Sequence, residues 1–175
     1  SKKLNITNLS ALRSGNISAR AKEKGVEGFY ITPSGMKYSS LKIKDIIFVS
    51  LKGIFDKKKG KPSSEWRFHQ DIYVNKKKSR AIVHAHSTCA TAVSSHQKNI
   101  PAFHYMVAVG GGEDLKCTKY ATFGTKQLSR NIISALKNRT ACLIANHGQV
   151  AFGDNLDKAF ELAQEIENIC HQYIN

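Results

Sequence analysis

The sequence contains no apolar run of the length that crosses a bilayer. Its longest apolar stretches, such as residues 46–49, fall far short of the ~20 residues that a transmembrane helix requires. The opening stretch, "SKKLNITNLS", also lacks the basic and then apolar pattern of a secretory signal peptide. The sequence therefore predicts a protein without a membrane span, and it offers no support for export.

Cysteines are few and widely spaced. Cys89, Cys117, Cys142 and Cys170 form no C-x-x-C pair, whereas a disulfide-stapled scaffold is shorter and denser in cysteine. The composition is otherwise globular, with 41% hydrophobic and 9% aromatic residues. We interpret all four cysteines as reduced thiols, and we therefore expect a cytoplasmic protein.

Acidic residues are also scarce, since 13 Asp and Glu face 27 Lys and Arg and leave a formal net charge of +14. Much of the excess lies in two lysine runs beside turn residues, at 56–61 and 75–79, with no interleaved aromatic side chain. Proteins that read phosphate backbones favour arginine and stacking aromatic residues. We therefore interpret the runs as solvated loop tips and predict no nucleic-acid partner.

Strand-like and helix-like segments alternate along the chain without an internal repeat or a low-complexity linker. This alternation indicates one α/β or α+β domain over residues 1–175. β-Branched and aromatic residues bounded by turn signals predict the strands. These lie at 28–33, at 45–51, at 80–86, and as a pair within 140–153 that is broken near His147–Gly148.

Three segments show helical features. Ser63 or Ser64 is a suitable cap for a helix over "SSEWRFHQDIYV" that carries Glu65 in its first turn. Apolar residues recur every fourth position from Thr125 to Leu136, and a continuous apolar stripe from Asp154 to Tyr173 predicts a core-facing helix. The stripe consists of Leu156, Ala159, Phe160, Ala163, Ile166, Ile169, Cys170 and Tyr173.

Two histidines lie one residue apart at the end of a predicted buried strand. Because side chains alternate across a strand, His84 and His86 share a face, and their rings can converge on one ion. With 7 histidines in 175 residues, this spacing arises by chance often enough to be weak support alone. The apolar residues before the pair add weight, because buried imidazoles need polar partners and a zinc ion is one.

A catalytic zinc ion typically takes three protein ligands, and His147, at another strand end beside a glycine, is the natural third. From the residues alone, however, a satisfied core or turn histidine is favoured there. Glu65 also has an ordinary explanation, because the helix dipole favours an acidic residue in a first turn. We interpret the other histidines as structural, namely His69, His96, His104 and His171.

Three small-residue turns are candidates for anion binding. The helix start beside Ser63 and Ser64 exposes backbone N–H groups, which is an arrangement that holds phosphate. The turns "TPSG" at 32–35 and "SGN" at 14–16 are also able to bring N–H groups close to an anion. Each turn is weak support by itself, because serine–glycine turns are common.

Seven motifs, taken in order, resemble the class II aldolase/adducin family, most closely its L-fuculose-phosphate aldolases. They are "SGNIS" (14–18), "ITPSGMKY" (31–38), "PSSEW" (62–66), "VHAHS" (83–87), "IPAFHYM" (100–106), "YATFGT" (120–125) and "ANHG" (145–148). The resemblance runs over residues 12–173. Seven ordered motifs are far more specific than one H-x-H pair, and they favour a ligand role for His147.

The resemblance implies a three-layer α/β fold, in which helices flank a mixed central β-sheet, and a homotetramer with active sites between subunits. It implies one zinc ion per subunit, held by His84, His86 and His147, with Glu65 close enough to coordinate when substrate is absent. The implied phosphate site consists of Gly15, Asn16, Ser34, Gly35, Ser63 and Ser64.

The activity that the resemblance implies is cleavage of a ketose 1-phosphate, L-fuculose 1-phosphate or a similar sugar, to dihydroxyacetone phosphate and an aldehyde through a metal-stabilised enediolate. Glu65 would move protons at the reacting centre, and Tyr105 would reach in from the adjacent subunit to the aldehyde fragment. Within the family, a methylthioribulose-1-phosphate dehydratase or a sugar-phosphate epimerase is the alternative enzyme. An adducin-like interaction module is the alternative without catalysis.

Three departures from the family pattern leave the sugar-binding end open. Arg13 stands where relatives often have a small hydroxyl residue. The usual first helix is expected to be short or absent before Leu12, and the tail that helps to cover the site in fuculose-phosphate aldolases looks missing.

Overall fold

The computed structural model describes residues 1–175, and one six-stranded β-sheet forms its centre. The strands are β1 (Asn16–Glu23), β2 (Val26–Ile31), β3 (Ile47–Ser50), β4 (Ala81–Ala85), β5 (Ala141–Ile144) and β6 (Gly148–Gly153). They are arranged in the order β3-β2-β1-β4-β6-β5, so that β1 joins an N-terminal meander to the strands that follow. The junction between β1 and β4 brings the start of the chain beside its middle.

Five α-helices cover the two faces of the sheet. They are α1 (Lys2–Ile6), α2 (Trp66–Asn75), α3 (Thr88–Ser95), α4 (Lys126–Ala135) and α5 (Leu156–Ile174). Helices α2 and α4 pack together over one core cluster, and α3 and α5 pack together over the other. Along β4, Val83 and Ala85 belong to the α3/α5 cluster and Ile82 to the α2/α4 cluster. Because side chains alternate, His84 shares the α2/α4 face with Ile82.

The predicted fold class is confirmed, because helices flank a central sheet on both faces. All pairings between the named strands are antiparallel. The parallel component of the sheet is the isolated bridge between Cys117 and Leu143.

The predicted strands are all present, with ends that differ by at most two residues, and the pair within 140–153 is broken at residues 145–147 as expected. Strand β1 was not predicted. Its sequence, "NISARAKE", carries polar or charged residues on both faces and is short of β-branched residues. Backbone pairing with β2 on one side and β4 on the other makes it a strand nonetheless.

The predicted helix over 63–74 starts later than expected. Its N-cap is Glu65, so the prediction that Ser63 or Ser64 caps the helix and that Glu65 lies in its first turn is wrong. The Ser63 hydroxyl instead accepts a hydrogen bond from the Glu65 N–H at 3.3 Å, which forms a tight turn before the helix. Helix α3 was also missed, since "TCATAVSS" is short and rich in weak helix formers.

The remaining helix predictions are confirmed. Thr125 caps α4 by accepting the Leu128 N–H, and α5 buries the centre of the predicted stripe while Leu156 and Tyr173 at its ends stay exposed. The expected short first helix is the five-residue α1. Among the helices, including the 19-residue α5, none combines the length and the hydropathy that a membrane span requires.

The stripe of α5 allows a matched test of its packing. Ile166 is fully buried in the α3/α5 cluster, whereas Leu156 is 48% exposed. We expect Ile166→Ala to lower the free energy of unfolding by about 2–5 kcal/mol because it leaves a cavity. The control Leu156→Ala should change it by less than about 1 kcal/mol. Urea unfolding followed by circular dichroism measures both, and equal effects would contradict the assigned core.

Candidate metal centre

The two histidines at the end of β4 point their rings at each other. The Nε2 atoms of His84 and His86 lie 2.9 Å apart. The His84 Nδ1–H donates to the Gln149 carbonyl oxygen at 2.7 Å, so its Nε2 carries the lone pair when the ring is neutral. Two lone pairs at this separation repel unless a proton or a metal ion lies between them.

Glu65 approaches the same point from the start of α2. Its Oε2 lies 3.0 Å from the His84 Nε2, and its Oε1 lies 3.5 Å from the His147 Nε2. The Asn16 side-chain amide donates to Oε2 at 3.0 Å. Oε1 is buried and accepts no hydrogen bond, which is an unfavourable state for a carboxylate oxygen.

His147 reaches this group from the turn between β5 and β6. Gly148 has a φ of +146°, and a Cβ there would lie 2.4 Å from the Ala85 carbonyl oxygen. Glycine is therefore required for the turn to press against the end of β4. The His147 ring centroid consequently lies 4.6 Å from that of His86 and 4.9 Å from that of His84.

The charges in this group are strongly coupled. Burial raises the pKa of Glu65, but the charge and hydrogen bond of His84, with His147 and Asn16, outweigh it and lower the pKa below its usual range. Burial lowers the pKa of His86 to about 3 and that of His147 to about 4. Burial also lowers the pKa of His84, but Glu65 outweighs it and raises the pKa. A metal ion would therefore meet an ionised carboxylate and two neutral imidazoles, and it would displace the proton shared by His84.

These residues fit a divalent metal ion. One ligand atom from each of Glu65, His84, His86 and His147 lies within 4.8 Å of all the others. A cation would give the unpartnered Oε1 a partner and would take the place of the proton between the facing Nε2 atoms. Three imidazoles and a carboxylate are a typical donor set for zinc.

The group opens onto a cavity of about 380 Å³ that also contains all three predicted anion-binding turns. Of the four candidate ligands, Glu65, His86 and His147 line this cavity, and His84 lies fully buried behind them. The six residues of the predicted phosphate site also line it, namely Gly15, Asn16, Ser34, Gly35, Ser63 and Ser64. Sequence motifs that are far apart along the chain thus meet in one cavity.

Three backbone N–H groups in these turns are available to a ligand. Those of Gly15, Gly35 and Ser64 donate to no backbone or side-chain acceptor in the protein. Gly15 and Gly35 both have positive φ, at +73°, which turns the backbone sharply at the cavity wall. Clustered free N–H groups of this kind are a favourable site for an anion.

Arg13, which departs from the family pattern, also lines the cavity, where its guanidinium donates to the Gly35 carbonyl oxygen at 3.1 Å. None of the lysines lines it, so Arg13 is the permanent positive charge of this wall. The lysine runs at 56–61 and 75–79 lie outside the cavity. In the second run, the Lys76 ammonium donates a hydrogen bond to the Leu136 carbonyl oxygen at 2.6 Å.

Tyr105 does not join the cavity within one chain. It starts the 3₁₀ turn Tyr105–Gly110, and 80% of its surface is exposed. Its predicted role requires a second subunit and stays a prediction.

Several residues at the site had no site role predicted from the sequence. Tyr120, Phe123 and Asn146 line the cavity, and His69 hydrogen-bonds to Asn16 beneath Glu65. The available signal for His69 was its position four residues after Glu65, which places both at one side of the start of α2.

Comparison with known proteins agrees with this arrangement. Residues 1–174 match the family described as Class II Aldolase and Adducin N-terminal domain. The chain is 45% identical to the 5-methylthioribulose-1-phosphate/5-deoxyribulose-1-phosphate aldolase of Rhodospirillum rubrum, over 91% of this chain and 70% of that protein. It is 43% identical to the L-fuculose phosphate aldolase of Escherichia coli K12, over 91% of this chain and 72% of that protein.

A solved structure gives the same result for the fold. A chain described as L-fuculose 1-phosphate aldolase superposes with a TM-score of 0.91 at 38% identity, over 99% of this chain and 80% of that one. From the fold, the grouped ligands and these relatives, we conclude that the chain belongs to the class II aldolase and adducin N-terminal domain family and is a metal-dependent aldolase.

Proposed function

We propose that the protein is a zinc-dependent aldolase that cleaves a ketose 1-phosphate, L-fuculose 1-phosphate or a similar sugar, to dihydroxyacetone phosphate and an aldehyde. The observation that carries the proposal is a single cavity that joins the Glu65–histidine group to free N–H donors and a guanidinium. Relatives are named for L-fuculose 1-phosphate and for 5-methylthioribulose 1-phosphate. A ketose that carries a 1-phosphate is common to both names.

His84, His86, His147 and Glu65 would hold the metal ion, and their donor set favours zinc. When bound, a divalent cation supplies positive charge beside the substrate oxygen on which negative charge develops as the carbon–carbon bond breaks. The buried position of His84, whose Nδ1–H is held by the Gln149 carbonyl, keeps one of these ligands in a fixed orientation.

The phosphate end of the substrate binds at the small-residue turns that line the same cavity. The N–H groups of Gly15, Gly35 and Ser64 donate to phosphate oxygens, and the hydroxyls of Ser34 and Ser63 lie beside them. Arg13 adds a guanidinium to this wall, which strengthens the hydrogen bonds to a dianion. Phosphate binding therefore fixes where the reacting carbons lie relative to Glu65 and the histidines.

Cleavage between C3 and C4 removes a proton from the C4 hydroxyl and adds one to C3. Glu65 is the residue we assign to the proton at C3, because its Oε2 is held by Asn16 while its Oε1 has no hydrogen-bond partner. An ionised carboxylate has no proton to give, so Glu65 would deliver this proton from its carboxylic acid form, and the proton released from the C4 hydroxyl balances it. A carboxylate held in this way transfers a proton without reorganising its surroundings.

We also propose that the protein is a homotetramer. Tyr105 of a neighbouring subunit would then take the proton from the C4 hydroxyl. The exposed position of its ring, outside the cavity of its own chain, supports a role across an interface. Phe103, two residues before Tyr105, forms an exposed aromatic pair with Tyr173 at the end of α5. Their ring centroids lie 5.3 Å apart.

Dehydration is the rival reaction for a substrate of this class. Relatives whose names include 5-methylthioribulose-1-phosphate are aldolases, which favours carbon–carbon cleavage for this chain also. The cytoplasmic location stays a prediction that rests on the free cysteines.

The reaction is tested by a screen of ketose 1-phosphates, including L-fuculose 1-phosphate and 5-deoxyribulose 1-phosphate. We expect release of dihydroxyacetone phosphate, measured by a coupled dehydrogenase, and its loss after chelation and recovery on addition of zinc. Only dehydrated product, or activity that is unchanged by complete removal of metal, would contradict the proposal.

Metal binding is tested separately from activity. We expect about one zinc ion per chain in zinc-loaded protein and loss of most of it in His84→Ala, because a central ligand is removed. The control is His96→Ala, since His96 is exposed and lies outside the cavity. Metal analysis after gel filtration measures both. A folded His84→Ala variant that keeps a full complement of zinc would contradict the ligand assignment.

The role of Arg13 is tested with a matched arginine. We expect Arg13→Ala to raise KM for the phosphorylated substrate about tenfold, equivalent to about 1.4 kcal/mol, and to leave kcat within about threefold. The control Arg130→Ala, an exposed residue outside the cavity, should change neither constant. Competition by inorganic phosphate should weaken in parallel in Arg13→Ala. An unchanged KM and phosphate affinity would exclude Arg13 from the phosphate wall.

A further inference from the structure

A chain of buried polar side chains leads away from Glu65 into the protein. The Asn16 Nδ2–H donates to Glu65 Oε2 at 3.0 Å, and the Asn16 Oδ1 is hydrogen-bonded to the His69 Nε2. The His69 Nδ1 lies 2.7 Å from the Ser18 Oγ, which lies 2.8 Å from the Tyr73 hydroxyl oxygen. None of the five residues exposes more than 5% of its surface. Glu65 and Asn16 line the cavity, whereas His69, Ser18 and Tyr73 lie behind them and do not.

Two elements supply this network in register. Asn16 and Ser18, two residues apart, share one face of β1, and His69 and Tyr73 lie one helical turn apart on α2. The helix therefore places two polar side chains against two polar positions of the strand. Phe68 stacks on the His69 ring, with centroids 4.6 Å apart, and holds the ring against the sheet.

The hydrogen bonds of the chain have one consistent direction. A carboxylate that serves as a metal ligand only accepts hydrogen bonds, so Asn16 must turn its NH₂ group toward Glu65. The Asn16 Oδ1 then faces His69, and the His69 Nε2 must carry the proton. With a neutral ring, the Nδ1 accepts from the Ser18 hydroxyl, and Ser18 accepts from Tyr73. Every donor in the chain thus points toward Glu65.

The opposite direction is incompatible with an ionised Glu65. If the proton were on Nδ1, His69 would donate to Ser18, and its Nε2 would need the Asn16 NH₂ group. The Asn16 Oδ1 would then face the carboxylate, and two acceptors would meet without a proton. A doubly protonated His69 would place a charge in a fully buried position where none of its hydrogen-bond partners is a carboxylate. Burial lowers the pKa of His69 to about 3, in agreement with a neutral ring.

We propose that His69 is a positioning residue. Ser18 holds its ring as the Nε2–H tautomer, and the ring, through Asn16, fixes Glu65 so that Oε1 stays free of hydrogen-bond partners beside His147. This proposal rests on the proposed function only for its effect on turnover. Its effects on the tautomer and on metal affinity hold for the protein without substrate.

The direct test is the protonation of the His69 ring in the intact protein. Two-bond ¹⁵N–¹H correlation spectra of ¹⁵N-histidine-labelled protein, metal-free and zinc-loaded, should show His69 as the Nε2–H tautomer in both forms. In Ser18→Ala the donor to Nδ1 is lost, and we expect a mixture of tautomers in the metal-free protein. A wild-type His69 that is protonated on Nδ1, or on both nitrogens, overturns the proposal.

The second test compares two replacements of His69. His69→Leu removes the donor to Asn16, and we expect zinc affinity and kcat each to fall by about 10–100-fold, with KM within about threefold because the phosphate wall is unchanged. His69→Gln keeps a side-chain N–H donor and should recover a large part of both losses. The control His96→Leu, at an exposed position, should alter none of these values.

The outcomes separate the possible reasons for failure. Equal losses in the Leu and Gln variants would mean that His69 only fills space, and unchanged zinc affinity in both would exclude the positioning role. Unfolding midpoints identify a variant that does not fold, and the wild-type spectrum remains decisive in that event. If no ketose phosphate is cleaved, the proposed function fails, but the tautomer and the zinc affinity still test this inference.

Discussion

The structure depends on one electrostatic arrangement, in which an ionised carboxylate is buried among three imidazole rings. Removing Glu65 from water is unfavourable, and the opposing contacts from His84, His147 and Asn16 make the ionised form the stable one. Each contributor comes from a different part of the chain, because β1 carries Asn16, β4 leads into the histidine pair, and the β5–β6 turn carries His147. The fold that aligns these segments therefore determines the charge state of the site. A cation would complete it, since it would replace the proton of His84 and give the unpartnered Glu65 Oε1 a partner.

The sheet explains why residues so far apart along the chain meet at one point. Strand β1 pairs with β4, and β4 pairs with β6, so three strand ends that carry site residues are adjacent. Gly15 and Gly148 lie at these strand ends, where a Cβ would collide with the backbone of β4. A Cβ on Gly15 would lie 2.5 Å from the His84 carbonyl oxygen, and one on Gly148 would lie 2.4 Å from the Ala85 carbonyl oxygen. Close backbone approach thus brings the candidate anion-binding turn and His147 against the same strand. The same close packing at the strand ends therefore shapes both the sheet and the candidate site.

Much of this organisation was predictable from the sequence, and the exceptions have physical causes. The periodic helices α4 and α5 and the apolar strand β4 follow from local patterns, and the ordered motifs indicated the family and the residues that the structure brings together. Strand β1 was missed because its less polar face consists largely of alanines and only Ile17 is β-branched, and its strand form depends on pairing with β2 and with the distant β4. The start of α2 was misplaced because Ser63 and Ser64 form a turn that leaves an N–H at the cavity, in preference to capping the helix. His69 was interpreted as an ordinary core histidine, since no local pattern reveals that β1 places an asparagine beside it.

The tight turn at Gly148 also limits how this site can diversify. Any side chain added there would separate β6 from β4 and disturb the histidines at the same time. Gly148 therefore cannot be replaced by a larger residue without moving the histidines. Tyr120 and Phe123 also line the cavity, but they lie on a connecting segment and are more than half exposed. Changes that adapt the cavity to a different ligand should therefore accumulate at Tyr120 and Phe123 before they reach Gly148.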